Sequence, residues 1–133
     1  MAEKILIIDD DPDILDALTM ILESKGYRVV KAVNGVEGLA QVEAENPDVM
    51  VLDLLMPKMD GFGLYKKLQE PKRAKYRNIP ILILTSVREE ASRRRYELET
   101  GQELGVDDYL EKPFSPDVLL ERVDKLIKKK QEV

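Results

Sequence analysis

Three uninterrupted apolar runs constrain this chain more than any other feature: Ile5-Leu6-Ile7-Ile8, Val49-Met50-Val51-Leu52 and Ile81-Leu82-Ile83-Leu84. Such a run has no polar face to offer water, so as a strand it must be covered on both sides. That is the situation of a strand in a parallel sheet with helices above and below. Each run also stops abruptly on a polar residue. The first ends at Asp9-Asp10, the second at Asp53 and the third at Thr85. Two weaker strand signals lie at 28–33 and 109–110, the latter followed by Lys112-Pro113.

The segments between these runs read as helices. Asp11-Pro12 is a helix start, with Asp as N-cap and Pro at the first helical position. Ile14, Leu15, Leu18, Ile21 and Leu22 then recur on one face, and Gly26 stops the helix. Asn34-Gly35 is a turn signal. Helical patterns follow at 36–45, which Asn46-Pro47 ends, and at about 62–70. Residues 71–78 read as a polar connection. A long polar helix spans roughly 88–104, and the last helix begins near Pro116, turning Val118, Leu119, Val123, Leu126 and Ile127 inward. Five βα units predict one α/β domain: a doubly wound, five-stranded parallel sheet with helices on both faces. The three most apolar strands belong at its centre, which suits the flavodoxin-like order 2-1-3-4-5.

The 133 residues fit a single domain, 1–133, with a core of about 4–128, and the hydrophobic fraction of 44% is ample for a packed interior. No apolar run reaches the roughly 18–20 residues of a membrane span, and residues 1–8 lack the pattern of a signal peptide. The chain has no cysteine, so neither disulfides nor thiolate metal sites arise. These features predict a cytoplasmic protein without membrane association. A net charge of −5 disfavours direct nucleic acid binding, because phosphate contacts need Lys and Arg. There is also no histidine, so any phosphohistidine must come from a partner.

In the expected topology the strand ends converge in one crevice. Three carboxylates, Asp9, Asp10 and Asp53, would raise one another's pKa unless a cation sat among them. An oxygen-ligated cation that keeps several waters fits, and Mg²⁺ is the natural choice. Lys112 and the Thr85 hydroxyl are then left for the oxygens of an anion. This set suits in-line phosphoryl transfer, with a carboxylate as nucleophile.

The ordered set Asp9-Asp10, Asp53 with Met56-Pro57 and Gly61, Thr85-Ser86, Asp108-Tyr109 and Lys112-Pro113-Phe114 resembles the response-regulator receiver domain of two-component signal transduction. The likeness covers residues 4 to about 128. It implies that Asp53 is the phosphoacceptor and that Asp10 and Asp53 bind Mg²⁺ directly. Asp9 would act mainly through metal-bound water, and the backbone carbonyl of Leu55 would complete the protein's share of the shell. Lys112 would pair with a phosphoryl oxygen and Thr85 would bond another. Tyr109 would follow Thr85 inward, switching the surface of the fourth helix, fifth strand and last helix. The resemblance further implies a cis Lys112-Pro113 bond and a Gly61 that relieves the turn before the third helix. A histidine kinase or phosphotransfer protein would be the donor, and a downstream effector or an output domain absent from this chain the reader. The chain would be a signalling phosphoacceptor rather than an enzyme, catalysing only its own phosphorylation and slow autodephosphorylation. A homodimer stays open. About five extra residues lie between Thr85 and Tyr109, so an added turn is expected near Gln102–Gly105.

Taken singly, each residue has a plainer reading. Asp11 is an N-cap, Lys112 a surface lysine, Thr85 a strand residue, and Arg93-Arg94-Arg95 a solvated helix face. Lys128-Lys129-Lys130 complements a helix dipole. A phosphohydrolase of the haloacid-dehalogenase type would carry a second Asp two residues after the nucleophile, where this chain has Leu55. A nucleotide or flavin module needs a glycine- or hydroxyl-rich loop after strand one, and Asp9-Asp10-Asp11-Pro12-Asp13 is acidic instead. A receiver used only for interaction would lack chemical residues that this chain retains.

Overall fold

The structure, a computed structural model, describes residues 2–131 apart from Leu55, Pro57, 87–90, Ser92, Arg93, Tyr96 and 99–105. Five strands, β1 (Lys4–Ile8), β2 (Arg28–Ala32), β3 (Val49–Asp53), β4 (Ile81–Thr85) and β5 (Asp108–Glu111), form one sheet in the order β2-β1-β3-β4-β5. All four pairings are parallel. The three continuous apolar runs occupy its centre, as their lack of a polar face requires.

Alternate strand residues divide between two cores. Leu6, Ile8, Met50, Leu52, Ile81 and Ile83 pack on one side with residues of α2 (Gly35–Glu45) and α3 (Gly61–Leu68). Ile5, Ile7, Val49, Val51, Leu82 and Leu84 pack on the other with α1 (Pro12–Glu23) and the C-terminal helix (Pro116–Gln131). The sheet is therefore doubly wound, as expected from its sequence.

The caps explain where the helices begin. Asp11 caps α1 through its side chain, which accepts from the Asp13 amide, and Pro12 opens the first turn. Asn34 caps α2 in the same way, accepting from the Glu37 amide, so the helix starts at Gly35 rather than 36. Asp60 caps α3 by accepting from the Gly63 amide, which moves its start to Gly61, and it ends at Leu68 rather than 70. Residues 71–78 are more ordered than their polarity suggests: Pro71–Tyr76 is a 3₁₀ helix whose Tyr76 is buried. Strand two is one residue shorter than the 28–33 pattern, and strand five extends to Asp108–Glu111. Of the fourth predicted helix, Ala91, Arg94, Arg95, Glu97 and Leu98 are helical. The rest of it, the added turn near Gln102–Gly105 and the Leu55 carbonyl lie outside the described residues.

Candidate functional site

Parallel pairing in register sets the strand ends side by side. Ile8 lies opposite Leu52, so Asp9 and Asp53 follow from adjacent strands at one level. Asp53 pairs with Leu84, which places Thr85 one step beyond it. Thr85 pairs with Glu111, and the Lys112 amide donates to the Thr85 carbonyl at 2.7 Å. Asp9, Asp53, Thr85 and Lys112 thus share the carboxyl rim of the sheet, where open α/β sheets place their ligand crevices.

One carboxylate oxygen each from Asp9, Asp10 and Asp53 lies within 4.8 Å of the others. Asp9 and Asp53 are only 1% and 3% exposed, whereas Asp10 opens to solvent. The Lys112 ammonium stands between the two buried acids, 3.5 Å from Asp9 Oδ2 and 3.7 Å from Asp53 Oδ1. Asp9 Oδ1 accepts the Asp11 amide at 2.9 Å. Its Oδ2 is buried and accepts no hydrogen bond among the described residues, its approach to Lys112 being an ion pair only. Burial pushes the Asp9 carboxyl above its ordinary range, and the Asp10 charge adds to the rise. The Asp11 amide and Lys112 pull the other way.

These features fit an oxygen-ligated divalent cation. The donors are hard carboxylate oxygens, and among the described residues Asp9 Oδ2 lacks a hydrogen bond while Lys112 pairs with both Asp9 and Asp53. The cluster is open on the Asp10 side, which leaves room for water in the coordination shell.

Thr85 is buried, and its hydroxyl donates to the Ser86 carbonyl at 3.3 Å. Tyr109 is half-buried and packs against the core shared with α2 and α3. Both line a cleft of about 650 Å³ with Arg94, Phe114, Val118 and Arg122. Arg122 secures the start of β5, its Nη1 donating to the Tyr109 carbonyl at 2.9 Å and to Asp108 Oδ1 at 3.0 Å.

The Lys112-Pro113 bond is cis, as expected. Gly61 stands where the turn before α3 passes close to other backbone. A Cβ there would stand 2.7 Å from the Asp53 carbonyl oxygen, so glycine permits the loop to close against the backbone of Asp53. Reading residues in isolation also misses Gly35, whose amide donates to the Met59 carbonyl at 2.6 Å. Its Asn34-Gly35 signal announces a turn and says nothing of that distant backbone partner.

A family model described as the response regulator receiver domain matches residues 5–124. The chain belongs to that family. As a receiver domain it is a signalling phosphoacceptor of the two-component type. This receiver domain is 40% identical to the alkaline phosphatase synthesis transcriptional regulatory protein PhoP of Bacillus subtilis (strain 168), over 98% of the chain and 51% of PhoP. It is also 40% identical to the DNA-binding dual master transcriptional regulator RpaA of Synechocystis, over 95% of the chain and 49% of RpaA. The receiver domain thus spans about half the length of these curated relatives. Among solved structures it is similar to the receiver domain of the sensor histidine kinase PA1611 from Pseudomonas aeruginosa PAO1. The TM-score is 0.83 and the identity 26%, over 96% of this chain and 99% of that one. The PA1611 structure holds a magnesium ion coordinated in its active site cleft.

Proposed function

We propose that Asp53 is the phosphoacceptor of this receiver domain and that Lys112 and Thr85 stabilise the transferred group. The observation that carries the assignment is the Lys112 ammonium, placed 3.7 Å from Asp53 Oδ1 and 3.5 Å from Asp9 Oδ2 at the carboxyl rim. Asp9 is less suited to attack, since its Oδ1 is committed to the Asp11 amide. Asp9, Asp10 and Asp53 are the side chains that would hold Mg²⁺, with the Leu55 carbonyl as a further ligand. When bound, Mg²⁺ neutralises charge on the phosphoryl oxygens.

The reaction is a displacement at phosphorus. A carboxylate oxygen of Asp53 attacks the phosphoryl group of the donor's phosphohistidine. An O–P bond forms, the N–P bond breaks, and its electron pair returns to the imidazole, which takes a proton from solvent. Lys112 shifts its pairing from carboxylate to phosphoryl oxygen, and the Thr85 hydroxyl turns from the Ser86 carbonyl to another. The donor is a histidine kinase or phosphotransfer protein, since the chain has no histidine of its own. Slow autodephosphorylation is the only other reaction assigned to the chain.

Thr85 and Tyr109 line one cleft, so drawing Thr85 inward frees space for the Tyr109 ring. That movement re-forms the surface of the fourth predicted helix, β5 and the C-terminal helix for a downstream effector or output domain. Residues 1–133 act as one receiver domain in the cytoplasm. No described helix is long and apolar enough to cross a membrane. The test is intact mass after incubation with acetyl phosphate and Mg²⁺. Wild type should gain one phosphoryl group and Asp53→Ala none; an adduct that persists in the variant would overturn the assignment.

A further inference from the structure

Asn34-Gly35 has no part in the phosphoryl chemistry, yet the turn it forms is tied to the cleft from two sides. On one side the Asp9 amide donates to the Ala32 carbonyl at 3.1 Å, binding the first residue after β1 to the last of β2. On the other, the Gly35 amide donates to the Met59 carbonyl at 2.6 Å. Met59 lies in the loop that leaves the sheet from Asp53 and returns at α3. The base of that loop is clamped separately, by the Gly61 amide donating to the Leu54 carbonyl at 2.9 Å. Because the sheet order is β2-β1-β3, the turn reaches across the end of the strand that carries Asp9 and Asp10.

Glycine at 35 is demanded by contact, not by conformation. Its φ is not positive, unlike that of Gly26 at 83°. A Cβ at position 35 would stand 2.3 Å from the Met59 carbonyl oxygen and 2.8 Å from the carbonyl carbon. Ordinary contact begins at 3.4 Å, so a side chain would drive that loop outward by about 1 Å. On the helix side Asn34 is buried and its Oδ1 is engaged by the Glu37 amide at 2.9 Å, so the Met59 loop is the part that gives.

We propose that the 32–35 turn positions the acidic cleft and that Gly35 is the positioning residue. Direct β1–β3 pairing sets Asp9 and Asp53 at one level, and the turn, tied to Asp9 through Ala32 and to Met59 through Gly35, holds the loop that follows Asp53 against that rim. The inference rests on the reading of this cleft as a Mg²⁺ and phosphoryl site. Groups that orient metal ligands typically control affinity 10–100-fold, and displacements of about 1 Å near a reacting centre have effects of similar size.

The test compares Gly35→Ala with Gly26→Ala in the full chain. Mg²⁺ affinity is measured by calorimetry, and phosphoryl uptake from acetyl phosphate is measured at saturating Mg²⁺. Gly35→Ala should weaken Mg²⁺ binding about tenfold or more and slow uptake even at saturation. Gly26→Ala strains its backbone but has nothing within 4 Å of the new carbon, and it should keep wild-type affinity and rate at a lower melting temperature. A Gly35→Ala protein with wild-type affinity, or equal losses in both variants, would overturn the inference. A measurement on wild type covers the case in which Gly35→Ala does not fold: exchange of the Gly35 amide should slow on adding Mg²⁺, and unchanged exchange counts against the tie. Failure of the underlying reading shows up separately, as phosphoryl uptake persisting in Asp53→Asn.

Discussion

Asp9 bears an electrostatic penalty that the fold accepts. Its carboxyl is raised chiefly by burial, with Asp10 adding to the effect, so in the unliganded fold the charged form is disfavoured relative to the unfolded chain. A carboxyl whose folded pKa is raised lowers stability above that pKa, and the deficit disappears as pH falls through it. Asp9→Asn removes the charge while its amide oxygen can still accept the Asp11 N–H. In EDTA at pH 7 the variant should melt at a higher temperature than wild type. Wild type should gain about 1.4 kcal/mol from Mg²⁺ at ten times its Kd, and the variant clearly less. A lower melting temperature for Asp9→Asn in EDTA would show that the charge is well accommodated without metal. The rim positions of Asp9, Asp53 and Thr85 were legible because each directly follows an unbroken apolar run, whereas Lys112 follows Glu111 at the end of a weaker strand signal. That Lys112 reaches Asp9 as well as Asp53 was not legible, since spacing along a chain carries no information on which acid a long flexible side chain will meet.

Among the elements, α1 shows how a capping residue can sit beside a chemical site without joining it. The Asp11 side chain accepts the Asp13 amide at 2.9 Å, while its backbone N–H serves Asp9. Asp11→Ala removes only the first contact. Urea unfolding should show a loss of about 1 kcal/mol, typical of an N-cap. Phosphoryl uptake per folded molecule should not change; a large drop would place the Asp11 carboxylate in the chemistry. Strands and amphipathic helices were readable because burial imposes a period of two or an unbroken run on one and a period near 3.6 on the other. The 3₁₀ helix Pro71–Tyr76 was not, since its one buried side chain, Tyr76, sets no period. Its Arg73 nonetheless links neighbouring elements, 2.5 Å from Glu70 and 3.8 Å from Glu43 of α2.

For the molecule as a whole, the site and its proposed output surface meet at Thr85. This residue ends β4 on the same rim as Asp53 and lines the cleft that holds Tyr109 and Arg122. Phosphorylation should therefore bias two packings of one surface, with a coupling of about 1–3 kcal/mol. Beryllofluoride, a mimic of the phosphoryl group, supplies the measurement. Amide exchange should change across 85–111 as well as beside Asp53. If protection changes only in the loops that touch the ligand, the coupling through Thr85 and Tyr109 is refuted.

The parallel sheet has a final consequence, for the order in which the molecule is assembled. Lys4 pairs with Arg28, Ile5 with Val49, Met50 with Ile81 and Leu82 with Asp108, so every strand pairing closes a long stretch of chain. The rim residues run from Asp9 to Lys112, and any fragment that ends before Lys112 or begins after Asp9 lacks a member of the set. A chain in which β1, β3, β4 or β5 is undocked therefore lacks a complete cleft even where its helices are formed. Metal affinity in such a protein is a property of the finished sheet, and a bound ion reports how many molecules have reached it.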